Sequence, residues 1–266
     1  MTGPLTIESR GAVDWLTLNR PKRLNALDSD LIAALSDYFA RAATRRETRV
    51  IVLRGAGRGF CAGFDLVDDL GAMDTIGRLD LQRSIAEIVM RMRYCPQPIV
   101  SLIHGPACGG GFALALASDI RLAGESTRMN AAFFRVGLSA CDIGVSYLLP
   151  RLVGASVAAE LMLTGAFIDA ARASSLGLVS RLVADDALEE AALPIIDAML
   201  TTAPLGLRLT KECLRMSIDA PSLEHAIAME DRNQVLCSST SDFSEGVAAF
   251  FDKRRPAYAS PLEARA

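Results

Sequence analysis

The residues best placed to do chemistry are Gly109-Gly110-Gly111 and Asp142. The glycines lie in Ile99-Val-Ser-Leu-Ile-His-Gly-Pro-Ala-Cys-Gly-Gly-Gly-Phe-Ala-Leu-Ala-Leu-Ala-Ser-Asp119, which reads as a buried strand, a tight loop and the start of an apolar helix. Backbone N–H groups at a helix start point outward without intrahelical partners, and glycine lets a ligand approach them closely. Asp142 lies in Gly137-Leu-Ser-Ala-Cys-Asp-Ile-Gly144, a second glycine-flanked turn ahead of an apolar helix. A carboxylate there suits the acid or base of a site whose anion hole is the glycine run. Its other role would be to cap the helix from Gly144 onward, and the two roles can coexist.

A second glycine-rich loop, Arg54-Gly-Ala-Gly-Arg-Gly-Phe-Cys-Ala-Gly-Phe-Asp65, follows a strand. It is not a dinucleotide fingerprint: no G-x-G-x-x-G opens a helix directly, no acidic strand end stands at the required distance, and a P-loop is absent. The two histidines, His104 and His225, stand apart, which excludes a multi-histidine metal site. His104 follows a strand and is expected to make a structural polar contact. The six cysteines (Cys61, Cys95, Cys108, Cys141, Cys213, Cys237) form no C-x-x-C pair and read as free thiols of a reducing compartment.

The elements that must position these residues follow from the pattern. Leu5–Ile7 and Val13–Leu18 alternate around Arg10-Gly11-Ala12 as a hairpin. Asp28 or Ser29 caps a helix with apolar positions Leu31, Ile32, Leu35, Phe39 and Ala42 or Ala43. Arg49–Leu53 is a continuous apolar strand, as for burial on both faces. A helix through Leu79–Met92 precedes Pro96 and Pro98, which break the chain before strand Ile99–Ile103. Ile120–Ala123 and Leu178–Val183 read as further strands. Beyond about Asp185 the pattern is helical: Asp186–Thr202, Pro204–Ile218, Pro221–Cys237 and Asp242–Lys253. This apolar tail is suited to packing on a neighbouring subunit or on its own domain.

The chain has 266 residues, 51% hydrophobic and 22% charged, with a net charge of −3. This is a globular composition with material for a large core. Without a basic stripe, nucleic-acid binding is not expected. No apolar run reaches the ~18 residues of a membrane span. Met-Thr-Gly-Pro-Leu-Thr-Ile-Glu has no apolar run behind a basic start, so no signal peptide and a cytoplasmic location are expected.

Phe60-Cys-Ala-Gly-Phe-Asp-Leu66 followed by Pro98–Asp119 resembles the enoyl-CoA hydratase/isomerase (crotonase) family. Asn19-Arg-Pro-Lys-Arg-Leu-Asn-Ala-Leu27, Leu163-Thr-Gly165, Ala173–Leu182 and Phe250-Phe-Asp-Lys-Arg-Arg-Pro256 match it too, so the resemblance runs from about residue 5 to residue 256. It implies an α/β fold, a crotonase-like spiral of ββα units with a C-terminal helical trimerisation region. Residues 1–195 would form the acyl-CoA-binding core and 196–266 the oligomerisation region of a homotrimer or dimer of trimers. The ligand would be an acyl-CoA thioester, coenzyme A being part of the substrate and no separate cofactor or metal being needed. The resemblance implies that the N–H groups of Phe64 and Gly110 form an oxyanion hole for the thioester oxygen as it becomes an enolate. Such donors lower a barrier by about 3–4 kcal/mol each. The Ala62 backbone would contact adenine, and Asp65 and Leu66 would lie near the pantetheine arm. Arg23, Phe250 and Lys253 would flank the nucleotide end, Lys253 in its own or the neighbouring subunit's site; for Arg23 and Lys253 the alternative is a solvated surface charge.

The chain departs from the family at its proton-transfer positions. Hydratases of the family use two glutamates; here those positions are Ala113 and Phe133, neither able to transfer a proton. Asp142 remains. Its context resembles the dienoyl-CoA isomerases, whose two further carboxylates would again fall on Ala113 and Phe133. It also resembles the 4-chlorobenzoyl-CoA dehalogenases, whose nucleophilic aspartate it matches. Their supporting tryptophan and histidine would fall on Phe134 and Ala86, so dehalogenation is not expected. Apolar surroundings (Phe133, Phe134, Ala113) should raise the pKa of Asp142. Asp119 is expected to end its helix, and Asp68 and Asp69 to sit in an early helical turn. The expected activity is double-bond isomerisation or hydration of an enoyl-CoA with a single aspartate acid/base; the alternative is a catalytically silent acyl-CoA-binding protein.

Overall fold

A computed structural model describes residues 3–65 and 73–258. Strands β1 (Leu5–Arg10) and β2 (Val13–Leu18) form the expected antiparallel hairpin, turned at Gly11. Helix α1 (Ser29–Ala42) starts where the Asp28 carboxylate accepts the Leu31 N–H, and it buries Leu31, Ile32, Leu35, Tyr38, Phe39 and Ala42. Strand β3 (Val50–Gly55) is buried from Val50 to Leu53, as its unbroken apolar run requires. Helix α2 (Thr75–Tyr94) begins four residues before the sequence expectation, because Asp74 accepts the Gly77 N–H. Then come β4 (Ile99–Ile103), β5 (Pro106–Cys108), α3 (Gly110–Ala117), β6 (Ile120–Gly124) and β7 (Arg128–Asn130). They are followed by α4 (Val145–Val153), α5 (Ala155–Thr164), β8 (Ile168–Asp169), α6 (Ala170–Ser175) and β9 (Arg181–Val183). The strand expected over Leu178–Val183 is thus shorter. Its first residues close the turn after α6 instead, Leu178 and Val179 donating back to the Ala173 carbonyl.

The main sheet has six strands in the order β1-β2-β3-β4-β6-β9, parallel after the first pair. A second sheet, β5-β7-β8, was not legible as strands in the sequence. Two parallel bridges, Cys61–Ala107 and Leu27–Phe64, continue it backward. After each of β2, β3 and β4 the chain therefore leaves the main sheet, lays one extended segment into this second wall, and returns, and after β6 it lays two, β7 and β8, before returning at β9, which is a spiral. Helix α3, buried throughout, lies inside it.

The helical tail matches expectation closely: α7 (Leu188–Leu200), α8 (Pro204–Ser217), α9 (Leu223–Ser238) and α10 (Ser241–Asp252). Helix α7 runs across the boundary expected at 195/196; Leu188, Ala192 and Ile196 pack against Val50, Val52, Val100, Leu102 and Leu122 on one face of the main sheet. Helix α8 is anchored by Lys211, whose buried ammonium donates to the Gln97 carbonyl and pairs with Asp119 at 2.8 Å each. Asp119 also accepts the Ile99 N–H, so its role is structural, while Ser118 ends α3. No single helix among the described residues is long and apolar enough to cross a membrane.

Candidate active site

The segment from Cys61 to Asp65 lies between the 24–27 loop and β5. Ala62 N–H donates to Leu24 O, Leu27 N–H to Gly63 O and Asp65 N–H to Leu27 O; on the other side Cys61 exchanges bonds with Pro106 and Cys108. A trans peptide points its C=O and the following N–H in opposite directions. Because Gly63 O faces Leu27, the Phe64 N–H faces away from it, toward the side on which β5 and α3 lie. Gly63 makes that turn at φ +100°, and a Cβ there would meet Cys108 O at 2.8 Å and lie 3.4 Å from the Gly110 nitrogen.

Gly110 is the first residue of α3. Gly109 O accepts the Ala113 N–H along the helix, so the N–H of Gly110 in that same peptide points out of the helix start. Neither the Phe64 nor the Gly110 N–H has a protein acceptor among the described residues. The helix start is pressed tightly against the neighbouring loop: a Cβ on Gly111 would sit 2.1 Å from Cys61 O. Two backbone donors, on segments packed against each other, are thus aimed by peptide geometry alone. The Phe133 ring lies beside Gly109, 3.4 Å from where a Cβ would be, and Ala113 is fully buried one turn into α3. Cys61, enclosed here, has its thiol pushed up to about 12 by burial, so it is no nucleophile.

The loop carrying Phe64 is braced by residues whose part the sequence did not disclose. Asn25, fully buried at φ +56°, donates its amide to Ala56 O, Gly59 O and Phe60 O at 2.9, 2.8 and 3.2 Å and accepts the Arg20 N–H. The signal was its place in the Asn19–Leu27 motif. Asp65 is buried and held by Arg23 at 2.9 Å and Arg20 at 3.1 Å, and Arg20 also pairs with Asp28. Arg23 and Asp65 are therefore brought together as an ion pair, with the Arg23 side chain half exposed. The Ala62 carbonyl receives no N–H from the described residues. Leu66, Asp68 and Asp69 lie outside them.

Asp142 sits in the loop that follows Phe133. Its side chain does not cap α4: Gly144 holds that position, and the Asp142 backbone carbonyl accepts the Val145 N–H. The half-buried carboxylate accepts instead from the Gln82 amide of α2 and from the Ile143 N–H. Burial raises its pKa, with those two hydrogen bonds opposing the rise. Phe250 and Lys253 stand at the end of α10, both exposed, with Phe250 beside a 610 Å³ groove bordered by Gly206, Phe243 and Tyr258. No hydrogen bond or ion pair among the described residues joins either to the Phe64 or Gly110 loops. His104 makes the structural contact expected, Nε2 to Gly57 O at 2.9 Å.

Two unengaged amides on adjoining loops of a spiral, with a partly desolvated carboxylate in the loop that follows Phe133, make a geometry suited to stabilising an oxyanion. The profile of the enoyl-CoA hydratase/isomerase family matches residues 8–261. A probable enoyl-CoA hydratase of Mycobacterium leprae (strain TN) is 39% identical over 252 residues, covering 92% of this chain and 86% of that one. The 1,2-epoxyphenylacetyl-CoA isomerase of Escherichia coli (strain K12) is 34% identical over 247 residues, 91% and 93% of the two chains. The crystal structure of an enoyl-CoA hydratase from Bacillus anthracis superposes with a TM-score of 0.91 at 32% identity, covering 96% and 98%. The chain belongs to the enoyl-CoA hydratase/isomerase family and has its crotonase fold. It is an enzyme of a family that acts on CoA thioesters.

Proposed function

We propose that the protein moves the double bond of an enoyl-CoA, with Asp142 as its one acid/base and the N–H groups of Phe64 and Gly110 as the oxyanion hole. Asp142, ionised, takes a proton from the carbon α or γ to the thioester. The electron pair left behind delocalises onto the thioester oxygen, where the two amides hold the enolate. Asp142, now protonated, returns the proton to the far carbon and regains its charge. Ala113 and Phe133 supply no second carboxylate, which is why isomerisation ranks above water addition. The observation that supports this reading most is the pair of unengaged amides at Phe64 and Gly110.

In this reading the Ala62 carbonyl receives adenine, and Asp65 and Phe133 line the path of the thioester arm. Arg23 flanks the nucleotide, with Phe250 and Lys253 reaching it from the C-terminal region of this or a neighbouring subunit. Leu214, Leu223, Val235, Phe250 and Phe251, each at least 64% exposed on α8–α10, support subunit packing in a homotrimer or dimer of trimers. No separate cofactor is needed. The test is mass spectrometry of 2-enoyl-, 3-enoyl- and dienoyl-CoA esters incubated in D₂O. Deuterium exchange or a shifted double bond is expected. Addition of D₂O would make the enzyme a hydratase. Binding with no change on any ester would favour the silent acyl-CoA-binding protein, the reading that the loss of both glutamates also supports.

A further inference from the structure

The Asp142 loop shows how a lone carboxylate is aimed. The Gln82 Nε2 on α2 and the Ile143 N–H, the latter at 2.8 Å, both donate to Oδ1 of Asp142. Among the described residues Oδ2 has no partner. Ile143 adopts φ +33°, a left-handed conformation that is an outlier for a β-branched residue, and Gly144 follows at φ +89°. The same loop is pressed on α2 a second time, since a Cβ on Gly144 would meet the Val89 side chain at 3.5 Å. Gln82 and Val89 are about two helical turns apart, so one rigid helix holds the loop at two points.

We propose that Gln82 is the positioning residue of this site, fixing Oδ1 of Asp142 with the Ile143 amide so that Oδ2 is the atom that transfers the proton. The inference rests on Asp142 being the base. A carboxylate held by one oxygen cannot turn about its last bond, and a fixed proton acceptor is what an oriented transfer requires. The partner is neutral. An arginine or lysine there would hold the carboxylate ionised too strongly to take up a proton. Among the described residues, the charged groups on the packed elements are engaged elsewhere. On α2, Arg78 donates to Met73 O and Arg83 lies against Asp80; on α4, Arg151 pairs with Asp219; Cys141 is exposed. Burial raises the pKa of Asp142 and the two donors oppose the rise, with no charged neighbour among the described residues.

The test uses the full-length protein and its Gln82→Leu, Gln82→Glu and Asp142→Asn variants on the same D₂O ester panel, with kcat and KM measured across pH. Gln82 is exposed, so melting curves should match the parent. Gln82→Leu should lower kcat about tenfold at a KM within about twofold of the parent. It should also move the acidic limb of kcat/KM to higher pH, because a donor to the ionised form is gone. Gln82→Glu should move that limb further, since two adjacent carboxylates share a proton. If Asp142→Asn is inactive while Gln82→Leu keeps the parent's kcat and pH limb, the positioning role falls and the base stands. A Gln82→Leu effect confined to KM also overturns it, making Gln82 a substrate contact. Turnover undiminished in Asp142→Asn, or no exchange by the parent on any ester, overturns the reading of Asp142 and this inference with it.

Discussion

The loops that carry Phe64 and Gly110 and the loop that carries Asp142 are built in opposite ways. The first pair presents only backbone, on residues packed so closely that Gly63 and Gly111 have no room for a Cβ. Asn25 and the Arg20–Asp65–Arg23 cluster lock it from behind. The second presents one side chain, half buried, held by an exposed glutamine and a single amide. A donor pair made of peptide groups does not depend on side-chain identity and serves any reaction through an enolate. A side-chain acid/base can change position and type without disturbing the fold. Ala113 and Phe133 stand where the resemblance puts the family's glutamates, and in the proposed reading the amide pair is kept while the proton chemistry passes to Asp142.

Four substitutions sharpen or break that contrast. Asp142→Asn should reduce turnover by about 10²–10⁴-fold while acyl-CoA affinity, measured by calorimetry, stays within about twofold of the parent. Equal loss of binding would show the two regions to be one unit. The parent's kcat/KM should fall toward acid, because the base works only when ionised. Since burial raises the Asp142 pKa, the fall should begin above the ordinary aspartate value of ~3.9. Gly111→Ala should cost about 3 kcal/mol of stability in a denaturant melt, as its Cβ would strike the Cys61 backbone. Asn25→Ala should cost about 2 kcal/mol by leaving carbonyls of the 56–60 loop unpaired, and should weaken acyl-CoA binding with it. Cys141→Ser, beside Asp142 but exposed, should change stability by less than about 0.5 kcal/mol and leave turnover unaltered; a larger effect would mean that the Asp142 loop is as tightly determined as the glycine one.

The residues determined much of this directly. The apolar runs at Val50–Leu53 and Ile99–Ile103, the Asp28 cap, and the prolines opening or preceding helices fix strands and helices through local rules of burial and capping. The glycine triplet at a helix start announced an unengaged amide at Gly110 because orphan amides belong to every such start. Only the tertiary structure decided the rest. Strands as short as Pro106–Cys108 and Ile168–Asp169 carry no period and exist because a neighbouring segment pairs with them. Lys211 reads as a surface charge on an amphipathic helix, yet it is buried because Asp119 and the Gln97 carbonyl meet it from 92 and 114 residues away in sequence. The Gln82–Asp142 bond spans 60 residues and left no mark in either local sequence. Spacing along a chain sets which groups a segment can offer; the partner each group finds is set by packing between segments distant in sequence.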